Sequence, residues 1–159
     1  LILDFNLLTS FDAIGLSTLT TLTLSNNQLQ TFDGSGLLNL GFLILNQNLL
    51  TSFSGSGMSN LARLELVYNP ITSINLDGLN LLQNLSIGNL MLTSQDIDYI
   101  LSFLATNELK NDWNGGIFVT DMNRTSKGTN DFNYLVQNGW SIGGAGLPER
   151  FVGIARRNP

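Results

Sequence analysis

The sequence predicts an α/β repeat solenoid, in which short parallel strands stack along one side and the chain returns along the other. Three observations support this fold class: a motif that recurs every 21 residues, short strand-like segments within each copy, and a helix-like segment after the last copy. Because a single coil cannot bury its own apolar side, several coils must stack to form a continuous core.

Alternating leucines define the strands. In each copy two apolar residues flank one variable residue, so that alternate side chains point to opposite faces, as in a half-buried strand. We expect five parallel strands, centred near Leu1–Leu3, Leu22–Leu24, Leu43–Leu45, Leu64–Leu66 and Leu85–Ile87. The segments between them are rich in Gly, Ser and Asp, which indicates turns with short 3₁₀ or extended pieces.

An asparagine occupies the same position in four successive copies: Asn6, Asn27, Asn48 and Asn69. A side-chain amide can pair with backbone groups in the turn that leaves each strand, so we expect a buried asparagine ladder. A glycine also recurs, at Gly15, Gly36, Gly57 and Gly78, where we expect a tight bend or a positive φ.

The copies fit one consensus, LxxLxLxxNxL. It stands as "LTTLTLSNNQL", "LGFLILNQNLL" and "LARLELVYNPI", and more loosely as "LQNLSIGNLML". In this motif the chain resembles the leucine-rich repeat family. The resemblance covers residues 1–94 and implies parallel strands on a concave face with an irregular or 3₁₀ convex side. Further coils or a cap are expected before Leu1.

The repeat ends near Thr93. Ile97, Ile100, Leu101 and Leu104 recur at helical spacing, which predicts a helix over about Gln95 to Thr106. Its start is either a capping box from Thr93 to Asp96 or an N-cap at Ser94. A strand at "GGIFVTDM", a short helix at "NDFNYLVQNG" and a strand at "WSI" are expected to follow. We therefore assign residues 95–142 to an α+β capping region that covers the last coil. Residues 143–159 are assigned to a tail.

Composition excludes several function classes. The chain of 159 residues has no cysteine and no histidine, which removes thiol nucleophiles, disulfides, the commonest general base and the commonest metal ligand. A net charge of −5 argues against nucleic-acid binding. No apolar run is long enough to cross a bilayer, so membrane insertion is not expected.

Carboxylate pairs are the remaining candidates for acid–base chemistry: Asp96 with Asp98, and Asp112 with Asp121. We expect Asp96 instead to favour the positive end of a helix. The segments 111–116 and 121–123 carry oxygen ligands suited to calcium, but their number is low and polar turns are the simpler interpretation. The sequence thus predicts a protein that is not an enzyme and holds no metal or cofactor.

The outward positions of the strands differ between copies and include several apolar residues. On the middle strands they form a candidate binding surface of Phe42, Ile44, Arg63, Glu65, Val67 and Tyr68. An apolar cluster with a polar rim is typical of a contact surface. The alternative is ordinary strand propensity, because single exposed apolar residues need no explanation.

Residues 1–92 carry only six charged side chains. Such a surface resembles that of repeats from bacterial surface proteins or bacteriophage particles, which implies an extracellular, cell-surface or virion-surface location. We expect a recognition or assembly module that binds a protein or a surface glycan, and neighbouring copies in an assembly are further candidate partners. The alternative is a structural spacer or subunit of a fibre or virion. It would dock through the tail, by way of Phe151, Arg156 and Arg157.

Overall fold

A computed structural model of the chain describes residues 1–88 and 91–106, the strand at 117–119, and residues 130, 131, 133, 134 and 137. The described chain forms a solenoid of stacked parallel strands. Its elements in chain order are β1 (Thr21–Thr23), β2 (Phe42–Ile44), β3 (Ser52–Ser54), β4 (Arg63–Glu65), β5 (Ser73–Asn75), β6 (Asn84–Ile87), α1 (Ser94–Thr106) and β7 (Ile117–Val119).

The main sheet has five parallel strands in the order β1-β2-β4-β6-β7. Its register follows the repeat, since Leu22 pairs with Leu43, Leu43 with Leu64, and Leu64 with Leu85. Four of the five predicted strands are therefore confirmed. The first, near Leu1–Leu3, is only a single bridge between Ile2 and Thr23.

The return path contains a second, two-stranded parallel sheet formed by β3 and β5. The strands alternate as expected, because Phe53 and Ile74 are buried while the serines beside them are exposed. In the earlier coils the rings of Phe11 and Phe32 stack at the same repeat position, 6.1 Å apart. The extended pieces predicted for the return path are thus partly true strands.

The core lies between the two sheets and consists mainly of leucine, with isoleucine as the next most frequent residue. Leu43, Leu45, Leu64 and Leu66 have no solvent-exposed surface, so the register places every strand leucine of the middle coils inside. Glycines allow the return path to pass close to this core. A Cβ on Gly55 would lie 2.6 Å from Cγ of Leu79, too close for any other residue without movement.

The recurring glycine follows the prediction in three of its four copies. Gly15, Gly57 and Gly78 have φ values of 79°, 82° and 92°, a region that residues with a Cβ rarely adopt. At Gly36 a glycine is favoured by the limited space, because a Cβ there would lie 3.2 Å from the Ala13 carbonyl oxygen.

Helix α1 begins one residue earlier than predicted. The capping box is present: the Thr93 N–H donates to Oδ2 of Asp96, and the Asp96 N–H donates to Oγ1 of Thr93. The four apolar residues expected on its inner face, Ile97, Ile100, Leu101 and Leu104, are all buried in the common core. The helical spacing therefore predicted both the element and its packed side.

Strand β7 lies within the predicted "GGIFVTDM" segment and pairs in parallel with β6, Leu85 opposite Ile117. Helix α1 consequently occupies the return path of a further turn. The predicted short helix at 130–139 is described only at residues 130, 131, 133, 134 and 137, all helical. The "WSI" strand and the tail 143–159 lie outside the described residues, and the role of 95–142 as a cap stays a prediction.

Candidate binding surface

Four of the six predicted binding residues share one face of the main sheet. Phe42 and Ile44 flank the buried Leu43 on β2, while Arg63 and Glu65 flank the buried Leu64 on β4. The register sets Phe42 opposite Arg63 and Ile44 opposite Glu65. We call these four residues the strand face. They are neighbours because the same alternation that buries each leucine turns its flanking residues outward.

The two charges of the strand face neutralise each other. Nε of Arg63 donates to Oε1 of Glu65 at 2.8 Å, and Nη2 donates to the same oxygen. The Arg63 side chain is 45% exposed but that of Glu65 only 16%. Glu65 was predicted to contact a partner; the structure shows its carboxylate already held by protein groups.

Asn46 extends this network to the neighbouring coil. Its Nδ2 donates to Oε2 of Glu65 at 2.7 Å, and its Oδ1 accepts the Val67 N–H at 2.8 Å. The hydrogen bond to the Val67 N–H has an equivalent between the first two coils, where the Asp4 carboxylate accepts the Ser25 N–H at 2.6 Å. Sequence reasoning missed this role, because the repeat position has no common residue type: it holds Asp4, Ser25, Asn46 and Val67 in successive coils. The strand face is consequently fixed across coils.

Val67 and Tyr68 lie in the turn that follows β4 rather than on the strand itself. Val67 is half-buried, whereas Tyr68 is 57% exposed. The Tyr68 N–H donates to the Gly88 carbonyl at 3.0 Å, which holds the turn against the next coil. The predicted surface therefore divides into the strand face and an exposed tyrosine beyond its end.

Exposed apolar residues are not confined to this surface. Phe42 is 46% exposed, but Leu38 and Leu81 on the return path are 54% and 52% exposed. Ile14, also on the return path, is 86% exposed. Apolar exposure alone therefore does not identify the site. What distinguishes the strand face is the grouping of an aromatic ring, a branched side chain and a paired arginine.

The predicted structural asparagines form a buried ladder. Asn27, Asn48 and Asn69 are at most 7% exposed. Asn48 shows the pattern: its Oδ1 accepts the Leu29 N–H at 3.1 Å, and its Nδ2 donates to the carbonyls of Leu24 and Leu45. Each asparagine thus ties its own coil to the preceding one.

Asn6 differs from the other three. It is exposed, and its Nδ2 donates only to the Leu3 and Asp4 carbonyls of its own coil. In the structure no described coil stacks on that side of it, so the cross-coil part of the ladder begins at Asn27. Asn6 therefore keeps only the part of the pattern that lies within its own coil.

A second set of cross-coil bonds lies on the return path. Nδ2 of Asn39 donates to the Ser17 carbonyl at 2.8 Å, and Nδ2 of Asn60 donates to the Leu38 carbonyl at 2.7 Å. These two asparagines occupy the same repeat position, which Leu81 takes in the next coil. The recurring asparagine is visible in the sequence, but only two copies of the repeat carry it.

Three carboxylates away from the strand face, those of Asp12, Asp33 and Asp96, serve turns and the helix start. Asp12 accepts the Ile14 N–H and Asp33 accepts the Ser35 N–H, at 2.8 and 2.9 Å. The Ser35 backbone bond lowers the pKa of Asp33 below its ordinary value. Asp96, one of the formal catalytic candidates, belongs to the capping box of α1. Its candidate partner Asp98 is buried on the same helix.

Two open cavities lie apart from the strand face. One of about 270 Å³ is bounded by Phe11, Asp12 and Asp33 on the return path. The other, of about 330 Å³, lies between α1 and the preceding coil, bounded by Asp77, Tyr99 and Phe103. Neither is lined by a residue of the predicted binding set.

Among the described residues, no group of three or more acidic side chains is placed to hold a metal ion. The calcium candidates at 111–116 and 121–123, and the second carboxylate pair Asp112 and Asp121, lie outside those residues. No helix in the described part of the chain has the length and apolar character needed to span a bilayer. Comparison with protein-family models, with curated proteins and with solved structures finds no match to this chain.

Proposed function

We propose that the chain is a non-catalytic recognition or assembly module that contacts its partner through the strand face and Tyr68. The observation that carries the proposal is the exposure of two aromatic rings, Phe42 and Tyr68, beside the self-neutralised pair of Arg63 and Glu65. Tyrosine and arginine are enriched among residues that dominate binding energy. The partner is a protein or a surface glycan.

The proposal includes membership of the leucine-rich repeat family. The constant 21-residue register, the parallel strands and the asparagine bonds between coils support it. In a solenoid of this kind the buried positions are fixed by packing, so the outward positions are free to vary for binding. Function is therefore sought on the strand face rather than in the core.

The proposed setting is extracellular, on a bacterial cell or virion surface. Only six charged residues among 1–92 leave a surface made mainly of hydroxyl, amide and apolar groups. The absence of histidine and cysteine from the whole sequence supports a role without catalysis.

A second candidate is a structural subunit whose copies pack side by side. The exposed Ile14, Leu38 and Leu81 favour it, because they give the return path an apolar character of its own. In this case the strand face would have no partner and the return path would contact neighbouring copies.

The test compares two double variants with the parent protein. Phe42→Ser with Tyr68→Ser removes both exposed rings of the proposed surface, and Leu38→Ser with Leu81→Ser is the matched control on the return path. Attachment to the native assembly or cell surface is measured after unfolding curves show that both variants are folded. We expect the first variant to lose at least about tenfold in affinity, or about 1.4 kcal/mol. The converse, loss only in the control variant, would favour the structural subunit.

A further inference from the structure

Four residues that are not glycine share a left-handed backbone conformation, one in each of four successive coils. Phe5, Asn26, Gln47 and Tyr68 have φ values of 58°, 57°, 56° and 60°. We call these four residues the left-handed row. Each precedes a ladder asparagine, and each N–H donates to a carbonyl of the next coil, as from Phe5 to Ser25 and from Gln47 to Val67. The fold therefore imposes this conformation whatever the side chain.

Aromatic residues are poorly suited to that conformation. Asparagine tolerates a positive φ, whereas bulky side chains rarely adopt it. Core packing does not offset the strain at Tyr68, because this residue is 57% exposed although described coils lie on both sides of it. A conformational outlier that contributes little to the core is the kind of feature from which a functional role can be inferred.

The row has a defined chemistry. Neighbouring coils are about 4.8 Å apart, which separates the backbones of Phe5 and Tyr68 by about 14 Å. The amides of Asn26 and Gln47 lie between them, and each amide offers both donors and an acceptor. None of the four side chains is charged, and the nearby Arg63 and Glu65 neutralise each other. The row is thus an uncharged line of ring, amide, amide and ring.

We infer that the left-handed row binds an uncharged glycan chain laid across the coils. Sugar rings would pack against the aromatic rings of Tyr68 and Phe5, and their hydroxyl groups would exchange hydrogen bonds with the amides of Asn26 and Gln47. An anionic partner would find no free countercharge here, because the cation near the row, Arg63, is paired with Glu65. The inference rests on the proposed recognition role and names the class of its partner.

The experiment titrates the full chain with three uncharged oligosaccharides, cellohexaose, maltohexaose and N-acetylchitohexaose, and with the anionic oligogalacturonate as a charged probe. Calorimetry reports binding, and thermal unfolding reports stability. The test variant is Tyr68→Asn, which installs the residue that Asn26 already provides at the same position. The control is Tyr134→Asn, because Tyr134 is 45% exposed and lies outside the row.

We expect at least one uncharged oligosaccharide to bind, and Tyr68→Asn to weaken that binding tenfold or more. The same variant should unfold at an equal or higher temperature than the parent, since asparagine relieves the strain. Tyr134→Asn should leave the binding unchanged. Loss of stability in Tyr68→Asn would show that the tyrosine serves the fold, and would overturn the inference.

The inference also fails if none of the three uncharged oligosaccharides binds, if oligogalacturonate binds as well as they do, or if Tyr68→Asn leaves binding intact. These outcomes are separate from failure of the recognition role itself. That role would stand if the Phe42→Ser, Tyr68→Ser variant lost attachment to the native surface while no oligosaccharide bound. The partner would then be a protein.

Discussion

Asn48 joins two coils through a single side chain. Its amide accepts one backbone N–H from the preceding coil and donates to carbonyls of both coils, and the whole group is 4% exposed. Buried backbone groups that lose their partner cost far more than the bond itself contributes. The ladder asparagines are therefore determinants of stability rather than of binding.

We expect Asn48→Ala to lower the free energy of unfolding by about 1–3 kcal/mol, because the Leu29 N–H and the Leu24 carbonyl each lose a hydrogen bond inside the stack. Urea unfolding measures the change. Asn6→Ala is the matched control, since Asn6 is exposed and bonds only within its own coil. Equal stability of the two variants would rule out the ladder as a stabilising feature.

At the residue scale, some structural roles are predictable from the sequence and others are not. The ladder is predictable because three copies carry the same residue in the same environment. The roles of Asp4 and Asn46 are not, since Ser25 and Val67 occupy the same position in the coils that follow them. The left-handed row was equally hidden, because a positive φ imposed by the coil leaves no common residue type in Phe5, Asn26, Gln47 and Tyr68.

At the scale of elements, α1 replaces the next strand of the return-path sheet. Directly after β3, the Gly55 N–H donates to the Asn75 carbonyl of β5 at 2.8 Å. One coil later the equivalent N–H, that of Leu76, donates to the hydroxyl oxygen of Tyr99 on α1 at 2.9 Å. The hydroxyl also donates to the Asp77 carboxylate. The helix was predictable from the spacing of its apolar residues. The role of the Tyr99 side chain as the acceptor in place of a further strand was not.

We expect Tyr99→Phe to lower the free energy of unfolding by about 1 kcal/mol, because the Leu76 N–H is left without its acceptor while the ring is retained. Urea unfolding at neutral pH measures the effect. Phe103→Leu on the same helix is a control for loss of ring packing alone, as the two rings lie 6.4 Å apart. An unchanged stability in Tyr99→Phe would mean that the hydroxyl does not hold α1.

Because of the same hydroxyl, the free energy of unfolding is expected to decrease at high pH. Burial raises the pKa of Tyr99 above its ordinary value of 10.0, and the Asp77 carboxylate raises this pKa further, against the lowering effect of the Leu76 N–H. A raised pKa means that the fold favours the protonated form. The resulting stability is full below pH 10.0 and is lost as the pH rises through the folded-state pKa.

The free energy of unfolding should therefore fall more steeply for the parent than for Tyr99→Phe above pH about 10. The difference between the two proteins isolates Tyr99 from the other groups that titrate in this range. Denaturation at a series of pH values gives this difference directly. A constant difference up to pH about 11 would contradict the assigned shift.

At the scale of the whole molecule, the coil is the unit that decides which residues are core and which are free to bind. Register pairs equivalent residues of successive coils, from Phe42 opposite Arg63 to Arg63 opposite Asn84. Each coil contacts mainly its neighbours, so stability is expected to be a sum over coils and their interfaces. The division into core and outward positions was predictable from the repeat period alone, as far as the end of the repeat near Thr93.

The most direct test of this central claim is a pair of deletions. Removal of residues 30–50 joins Leu29 to Thr51 and takes out one whole coil, so every later residue keeps its repeat position. Removal of residues 30–40 takes out half a coil and leaves the next strand without a return path. Circular dichroism with thermal unfolding should show a folded, cooperative protein after the longer deletion and an unfolded one after the shorter. Loss of the fold in both variants, or its survival after the half-coil deletion, would contradict the account.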